Sequence, residues 1–260
     1  MRILHTSDWH LGRTLHGVDL SGPQARFLDH LVELASAERV DAVLVSGDVF
    51  DRALPPVGAV EMLDDALARL CALTRVVIIP GNHDSPQRLG LNARLLGERL
   101  RILTRPSRAG ESVVVPEADG SAGLLVHALP YLDPDMTRAE LAEAVGADEP
   151  LARSHEAVVR AALGLVRAAL TARRRGGAER VPAVVMAHEF VTGGRASDSE
   201  RDLRIGGVDS VPAALFSSVG ADYVALGHLH GPQAVAGSRD PDADRGACAR
   251  PGPVMRYAGS

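Results

Sequence analysis

Lysine is absent from this chain of 260 residues, cysteine is scarce and long apolar runs are missing. The only two cysteines, Cys71 and Cys248, exclude a disulfide scaffold and a thiolate zinc finger. No apolar run reaches the roughly 18–20 residues that span a bilayer. Residues 1–4 lead directly into polar residues, so no signal peptide is visible. These absences favour a protein of the reducing cytoplasm that has no membrane contact.

The composition indicates a folded domain. Apolar residues make up 46% of the chain and charged residues 23%, which separates it from disordered sequences. Single hydrophobic cores stop growing at about 250–300 residues, so this length fits one large domain, or one domain and part of another. The net charge of −5 argues by itself against a generic nucleic-acid binder. All 28 basic residues are arginine, the side chain that contacts carboxylate and phosphate in a bidentate manner.

Short apolar runs alternate with amphipathic stretches along the chain. We predict strands at 2–5, 42–45, 76–79, 113–115, 124–127, 184–186, 223–226 and 254–257. We predict helices at 23–38, 57–73, 87–100 and 151–175, and a loop at 237–253. The alternation indicates parallel strands covered by helices. The runs from residue 113 onward indicate a second sheet.

Five of the predicted strands are followed directly by Asp, Asn or His. These side chains are Asp8, His10, Asp48, Asp51, Asn82, His83, Asp84, His188, His228 and His230. Loops at the carboxyl ends of parallel strands meet at one edge of a sheet, so we expect a single site there. The remaining histidines, His5, His16, His30, His127 and His155, are expected to be structural.

The chemistry of the cluster points to metal. Nitrogen and oxygen ligands without thiolate suit Mn, Fe or Zn. There are enough ligands for two metals about 3.5–4 Å apart that share a carboxylate, an arrangement suited to in-line attack on a phosphoryl centre. Gly47, Gly81 and Gly227 fit tight turns that aim the neighbouring ligands.

These motifs resemble the calcineurin-like metallophosphoesterase superfamily and, within it, the SbcD family of bacterial nuclease subunits. The segments that carry the resemblance are 5–12, 47–51, 81–85, 197–201, 205–207, 226–230 and 256–260. The resemblance implies an α/β fold (α+β by some schemes), a four-layer sandwich of two sheets flanked by helices. It implies that residues 1–260 form one nuclease domain.

The family pattern also implies a ligand set. The first metal would be held by Asp8, His10, Asp48 and His230. The second metal would be held by Asp48, Asn82, His188 and His228, with Asp48 bridging the two. Two divalent ions, expected to be Mn²⁺, would add about +4 to the cleft and nearly cancel the negative net charge.

Three further acidic or imidazole side chains receive roles beside the metals. His83 is not a ligand in the family pattern and would stabilise the transition state or protonate the leaving oxygen. We expect the Asp51 carboxylate to hydrogen-bond the His83 ring and fix its tautomer, the alternative being a capping or surface residue. Asp84 is expected to be a turn residue or a support for the ligands.

The implied activity is metal-dependent DNA cleavage, as a double-strand exonuclease and a single-strand or hairpin endonuclease in repair and recombination. Arg13, Arg52, Arg88 and Arg195 are candidates for backbone contacts, which carry little sequence information. The implied protein partner is an SbcC-type coiled-coil ATPase, and the implied location is the nucleoid.

The resemblance further implies a homodimer through the predicted helices 57–73 and 87–100. The candidate interface side chains are Val60, Leu63, Leu67, Leu95, Leu96 and Leu100. Alternatively, these side chains pack on the sheet.

The chain departs from the family pattern at its end. SbcD proteins continue into a DNA-capping domain and an SbcC-docking segment, whereas this sequence stops at Ser260. We therefore expect a fragment.

Two other functions remain open on the sequence alone. The first is a phosphoesterase for small or protein substrates, against which Trp9 and the segment 197–201 argue. The second is a non-catalytic scaffold, against which the intact ligand set argues.

Overall fold

The computed structural model describes residues 1–176, 179–195, 210–236, 238 and 252–260. Strands β1–β12 of this part are Ile3–Thr6, Thr14–Leu15, Val18–Asp19, Ala42–Ser46, Arg75–Ile79, Leu100–Ile102, Ser112–Pro116, Ala122–Leu129, Ala183–His188, Tyr223–Gly227, Gln233–Ala234 and Val254–Tyr257. Helices α1–α6 are Ser21–Ala37, Val57–Leu73, Pro86–Leu89, Pro134–Ala144, His155–Arg175 and Ala213–Ser217.

The strands form two main sheets. The first has the order β1-β4-β5-β6, and all of its pairs are parallel. The second has the order β11-β12-β10-β9-β8-β7, with a parallel centre and one antiparallel strand at each edge. A small hairpin of β2 and β3 lies outside both sheets.

Side-chain alternation along the strands builds the layers. In β4, Ala42 and Leu44 pack against the second sheet, whereas Val43 and Val45 pack under α1 and α2. In β9, Val184 faces the first sheet and Val185 faces α5. Three apolar cores therefore separate helices, sheet, sheet and helices. This confirms the predicted four-layer sandwich.

Three of the predicted helices are confirmed, with small shifts in their ends. The helix predicted at 57–73 has those bounds, and the one predicted at 23–38 spans Ser21–Ala37. The helix predicted at 151–175 begins later, at His155. Ser154 is the N-cap of this helix, because its Oγ accepts the Ala157 backbone N–H at 3.2 Å.

The helix predicted at 87–100 is wrong. Only Pro86–Leu89 is α-helical, a single 3₁₀ turn covers Ala93–Leu95, and Leu100–Ile102 is a strand. Asn92 adopts a left-handed conformation with φ of 60°, which interrupts the helix. The last residues instead pair with β5 and complete the first sheet.

Three predicted segments fall outside the described residues. The motifs at 197–201 and 205–207 lie there, as does nearly all of the predicted loop at 237–253. Among the helices that are described, none is long and apolar enough to cross a membrane.

His5 joins the two sheets, because it lies on β1 and its ring contacts β10. Its Nδ1 lies 3.1 Å from the hydroxyl of Tyr223, the first residue of β10. Burial lowers the pKa of His5 from 6.5 to about 4. The folded state therefore takes up this proton at lower pH than the unfolded state does.

We expect the His5 site to make the fold acid-sensitive. Its stabilisation is complete above the unfolded pKa of 6.5 and is lost as the pH falls toward about 4. In metal-free buffer, His5→Leu should remove up to about 2 kcal/mol of the stability difference between pH 7 and pH 5. Urea unfolding at both pH values measures this. His30→Leu, on the exposed face of α1, is the control, and an unchanged slope for His5→Leu would contradict the prediction.

Candidate metal centre

The carboxyl ends of five parallel strands meet at one edge of the sandwich. β1, β4 and β5 contribute loops from the first sheet, and β9 and β10 contribute loops from the second. The loops are joined directly, because the Asp8 N–H donates to Gly47 O at 3.0 Å and the His10 N–H donates to Asp48 O at 3.0 Å. Across the sheets, the His228 N–H donates to Asp8 Oδ1 at 3.1 Å. The edge is therefore one continuous site.

One group of potential ligands surrounds His10. Its Nε2 lies 3.0 Å from Nε2 of His230 and 3.7 Å from Asp48 Oδ2. His230 Nε2 lies 4.0 Å from Asp8 Oδ1. These are the four residues that the family resemblance implies for the first metal.

A second group surrounds Asn82. Its Oδ1 lies 2.9 Å from His188 Nε2 and 3.1 Å from His228 Nδ1. His188 Nε2 is also 3.4 Å from Asp48 Oδ2. The structure thus brings together all seven predicted ligands, and Asp48 belongs to both groups.

The backbone at the site is strained. Four of the predicted ligands have positive φ: Asp8 (56°), His10 (45°), Asp48 (50°) and His228 (101°). A left-handed conformation costs roughly 1–2 kcal/mol for a residue other than glycine. Such strain concentrates at functional sites, where the surrounding structure holds it in place.

Glycines at the site give room to the ligands. A Cβ on Gly81 would lie 2.2 Å from Asp48 Oδ1, although φ of Gly81 is not positive. A Cβ on Gly47 would lie 2.3 Å from His188 Nδ1, and Gly47 also has φ of +91°. Close approach, as well as the predicted tight turn, therefore requires glycine here.

Burial and neighbouring charges shift the pKa values of the candidate ligands in different directions. It lowers the pKa of both His10 and His228 to about 3, so these rings are neutral and offer lone pairs. Burial opposes the charge of Asp48, but the nearby imidazoles of His188, His10 and His83 together outweigh burial and lower the pKa of this carboxyl. Burial and the nearby Asp48 raise the pKa of Asp8 to about 6, although His188 opposes them.

The donor set fits divalent cations. Three groups of carboxylate and imidazole side chains have ligand atoms within 4.8 Å of one another: Asp8, His10 and His230; His10, Asp48 and His83; and Asp8, Asp48 and His188. Oxygen and imidazole ligands without thiolate suit Mn, Fe or Zn. Cations would also compensate the two buried carboxylates, which are costly to leave unpaired.

His83 is held at the edge of the first group. Its ring lies edge-on to His10, with centroids 4.9 Å apart, and its backbone N–H donates to Asp48 Oδ1 at 2.9 Å. Nδ1 of the ring lies 2.8 Å from the backbone carbonyl oxygen of Asp51 and donates to it. The Nε2 atom is therefore left to exchange a proton.

The predicted role of the Asp51 carboxylate is corrected by this contact. The main chain of Asp51, not its carboxylate, accepts from the ring of His83. The carboxylate Oδ1 instead lies 3.8 Å from His10 Nδ1 and 3.9 Å from Arg13 Nε. The backbone of this loop faces residues 81–84, and a side-chain pattern does not show which backbone atoms point there.

Asp84 supports two ligand loops at once. Its carboxylate is buried and accepts the backbone N–H groups of Val49 at 3.0 Å, Phe50 at 2.9 Å and Gly81 at 2.9 Å. Burial raises the pKa of Asp84 to about 6. The expectation that Asp84 is a turn residue or a support is confirmed.

The predicted DNA contacts differ in exposure. Arg13 is half-buried beside Asp51, whereas Arg52, Arg88 and Arg195 are exposed. The Arg195 backbone is held on both sides by Gln233, with two hydrogen bonds of 2.7 Å. Trp9 does not face the site, because it is buried against Phe27 and its indole N–H donates to Thr6 Oγ1. It therefore carries no argument about substrate.

Sequence reasoning missed a second set of residues beside His188. Glu189 is buried, and its Oε2 lies 3.4 Å from Nδ1 of His155, which the sequence assigned a structural role. The ring of Tyr131 lies near two of these histidines, with its centroid 5.7 Å from that of His155 and 6.2 Å from that of His188. Only the position of Glu189 directly after His188 could have signalled this set.

Replacing Asp84 should loosen the site and the fold together. Asp84→Ala leaves three buried N–H groups without an acceptor, at a cost of about 3 kcal/mol or more. We expect a lower melting temperature and weaker Mn²⁺ binding by calorimetry. Asp119→Ala, in an exposed turn, is the matched control. An unchanged melting temperature for Asp84→Ala would show that these hydrogen bonds stabilise little.

Comparison with known proteins gives relatives for nearly the whole chain. The D subunit of the SbcCD nuclease from Bacillus subtilis (strain 168) is 37% identical over 243 residues, which cover 92% of this chain and 59% of that protein. The same subunit from Rhodobacter capsulatus is 38% identical, covering 92% and 60%, and that from Escherichia coli (strain K12) is 32% identical, covering 91% and 58%. The chain thus spans about three fifths of the length of these relatives.

Two solved structures share the fold. TT1561 of Thermus thermophilus matches with a TM-score of 0.51 and 15% identity, covering 99% of this chain and 88% of that one. GAP50, the anchor in the inner membrane complex of Plasmodium, matches with a TM-score of 0.53 and 10% identity, covering 100% and 71%. The family model described as calcineurin-like phosphoesterase matches residues 1–232. This chain belongs to the calcineurin-like phosphoesterase family.

Proposed function

We propose that this chain is the catalytic domain of an SbcD-type nuclease that hydrolyses DNA phosphodiesters with two divalent ions. The observation that carries the proposal is the pair of ligand groups that meet at Asp48 Oδ2, 3.7 Å from His10 Nε2 and 3.4 Å from His188 Nε2. Similarity over 91–92% of the chain to proteins named as the D subunit of the SbcCD nuclease supports DNA as the substrate.

Each ion would be held by one of the two groups of ligands, the group around His10 or the group around Asn82. Asp8, His10, Asp48 and His230 would hold the first ion, and Asp48, Asn82, His188 and His228 would hold the second. We propose Mn²⁺ as the metal, which suits mixed carboxylate and imidazole ligands. Bound there, two ions would activate a water molecule and neutralise the charge that develops on the phosphate.

The residues around the ions prepare the protein for this reaction. His10 and His228 are neutral, because burial lowers the pKa of each to about 3, so they need not lose a proton before binding. The Asp51 carbonyl holds the Nδ1–H of His83 and leaves Nε2 to face the phosphate. From that position His83 would stabilise the transition state or protonate the leaving oxygen.

DNA would approach along its backbone. Arg52, Arg88 and Arg195 are exposed, and Arg13 lies half-buried at the Asp51 side of the site. Phosphate contacts of this kind position a duplex without reading its sequence. We therefore propose cleavage that is largely independent of sequence, as an exonuclease on duplex ends and an endonuclease on single strands and hairpins.

The wider assembly is proposed on the same grounds. The relatives are named as subunits of SbcCD, so an SbcC-type coiled-coil ATPase is the proposed partner and the cytoplasmic nucleoid the proposed location.

End-labelled duplex and hairpin DNA with Mn²⁺ test the nuclease proposal. We expect the wild-type chain to cleave both substrates. His83→Ala should reduce the rate by about 100-fold or more, which is the order expected for loss of a proton-transfer group. Asp48→Ala should abolish cleavage and metal binding together. His30→Ala, on the exposed face of α1, should cleave like wild type.

Two outcomes would contradict the nuclease proposal. Full activity of His83→Ala would remove the proposed role of that ring. Hydrolysis of bis(p-nitrophenyl) phosphate without any cleavage of DNA would favour a small-molecule phosphodiesterase instead.

The proposed homodimer keeps part of the set that the family resemblance implies, Leu95 and Val60 (46% exposed), and adds two further exposed side chains. Leu63 and Leu67 are buried against the first sheet, so they are not available to a partner. Val57 and Leu95 are 74% and 82% exposed, and Leu91 is 71% exposed. These exposed side chains follow the two loops that carry Asp48 and His83. We propose that they form the dimer surface.

Light scattering tests the dimer. The wild-type chain should have the mass of two chains, and the double variant Val57→Asp and Leu95→Asp should have the mass of one, because buried charges are costly at an apolar interface. Met136→Asp, equally exposed on α4 at 74%, should remain a dimer. A wild-type mass equal to one chain would exclude this interface.

A further inference from the structure

Tyr131 is tied to both sheets beside the second ligand group. Its backbone N–H donates to Pro80 O at 3.0 Å, one residue before the Gly81–His83 turn. The next backbone N–H, of Leu132, donates to Glu189 Oε1 at 3.2 Å. Tyr131 is therefore held between the loop that carries Asn82 and the residue that follows His188.

The buried carboxylate of Glu189 helps to hold Tyr131 in this position. Glu189 is almost inaccessible, and its Oε2 lies 3.4 Å from Nδ1 of His155 at the start of α5. Its backbone carbonyl oxygen also accepts the Tyr257 hydroxyl at 3.0 Å. The ring of Tyr131 lies near the rings of both His155 and His188, with centroid distances of 5.7 and 6.2 Å respectively.

The hydroxyl of Tyr131 is used differently from those of the other tyrosines. The chain has three tyrosines. Tyr223 contacts His5 through its hydroxyl, and the Tyr257 hydroxyl bonds both Glu189 O and the Val191 N–H. Within the described ranges, no protein group hydrogen-bonds the Tyr131 hydroxyl. A phenol that the fold positions but does not satisfy is available to a ligand.

The surroundings of the Tyr131 hydroxyl indicate which kind of ligand it could bind. Burial, and after it the carboxylates of Glu189, Asp133 and Asp48, raise the pKa of Tyr131 to about 12. A phenol is protonated at neutral pH, so it can donate a hydrogen bond. Under the proposed function, the acceptor that divalent cations would bring to this side of the site is a phosphate oxygen.

We propose that Tyr131 is a substrate-binding residue whose hydroxyl donates a hydrogen bond to a non-bridging oxygen of the phosphodiester at the Asn82, His188 and His228 side of the centre. This inference rests on the proposed phosphodiesterase function. It adds to that function a donor that comes from the chain between β8 and α4, outside all five motif loops.

The test compares Tyr131→Phe with Tyr223→Phe in the 260-residue chain. Each variant loses one hydroxyl, but Tyr223 lies at the opposite end of β10. Calorimetry measures Mn²⁺ binding and then the binding of thymidine 5′-monophosphate to the Mn²⁺-loaded chain. Steady-state hydrolysis of bis(p-nitrophenyl) phosphate gives kcat/KM, and thermal melts verify folding, which Phe should preserve because it keeps the ring contacts.

We expect Tyr131→Phe to bind Mn²⁺ like wild type but to bind thymidine monophosphate about tenfold more weakly, the order expected for one hydrogen bond to a charged oxygen. Its kcat/KM should fall by about tenfold or more, and Tyr223→Phe should match wild type in both measurements.

Wild-type nucleotide binding and kcat/KM in Tyr131→Phe would overturn the inference, as would a loss explained by weaker Mn²⁺ binding. Absence of nucleotide binding by the loaded wild-type chain would overturn it too. If wild type binds Mn²⁺ and the nucleotide but hydrolyses no diester, the proposed function fails, while the binding comparison still judges Tyr131.

Discussion

The carboxylate of Asp48 is buried at the seam between two sheets, and the arrangement of the site depends on how its charge is balanced. Oδ1 accepts the His83 N–H at 2.9 Å, while Oδ2 lies within 4 Å of two imidazoles from different strands. An isolated buried carboxylate would be costly. The neighbouring histidines, and the cations proposed to bind between them, make this position tenable. Gly81 must lack a Cβ because Asp48 occupies that space.

The site also couples the two halves of the fold. Ser46 Oγ donates to Ala225 O at 3.0 Å, and His188 Nδ1 donates to Ser46 O at 2.8 Å, so the last residue of β4 is bonded to both β9 and β10. The apolar core between the sheets sets their separation. The geometry of the candidate metal centre therefore depends on the apolar packing between the sheets. In turn, the strained backbone at four ligands is held in place by that packing.

The parts of the site that sequence reasoning found share one property: each lies at the end of an apolar strand. Asp8, Asp48 and His188 follow such strands, and parallel strands bring their carboxyl ends together. The part it missed lacks this property. Tyr131 lies before α4 and His155 is the first residue of α5, and their relation to His188 depends on the buried Glu189. The error at 87–100 has a similar cause, because an edge strand forms there by pairing with β5 and not by local preference.

The sequence by itself determined the chemical types of the candidate ligands, their order along the chain and the alternation of strands and helices, and its family resemblance implied the four-layer fold. It did so because strand periodicity and the residues that end a strand are local properties. The tertiary structure alone decided which atoms meet. It placed His10 against His230, which lies 220 residues away, and it gave the ring of His83 a backbone carbonyl partner where a carboxylate was expected. Such contacts depend on backbone direction across distant segments, which side-chain patterns do not encode.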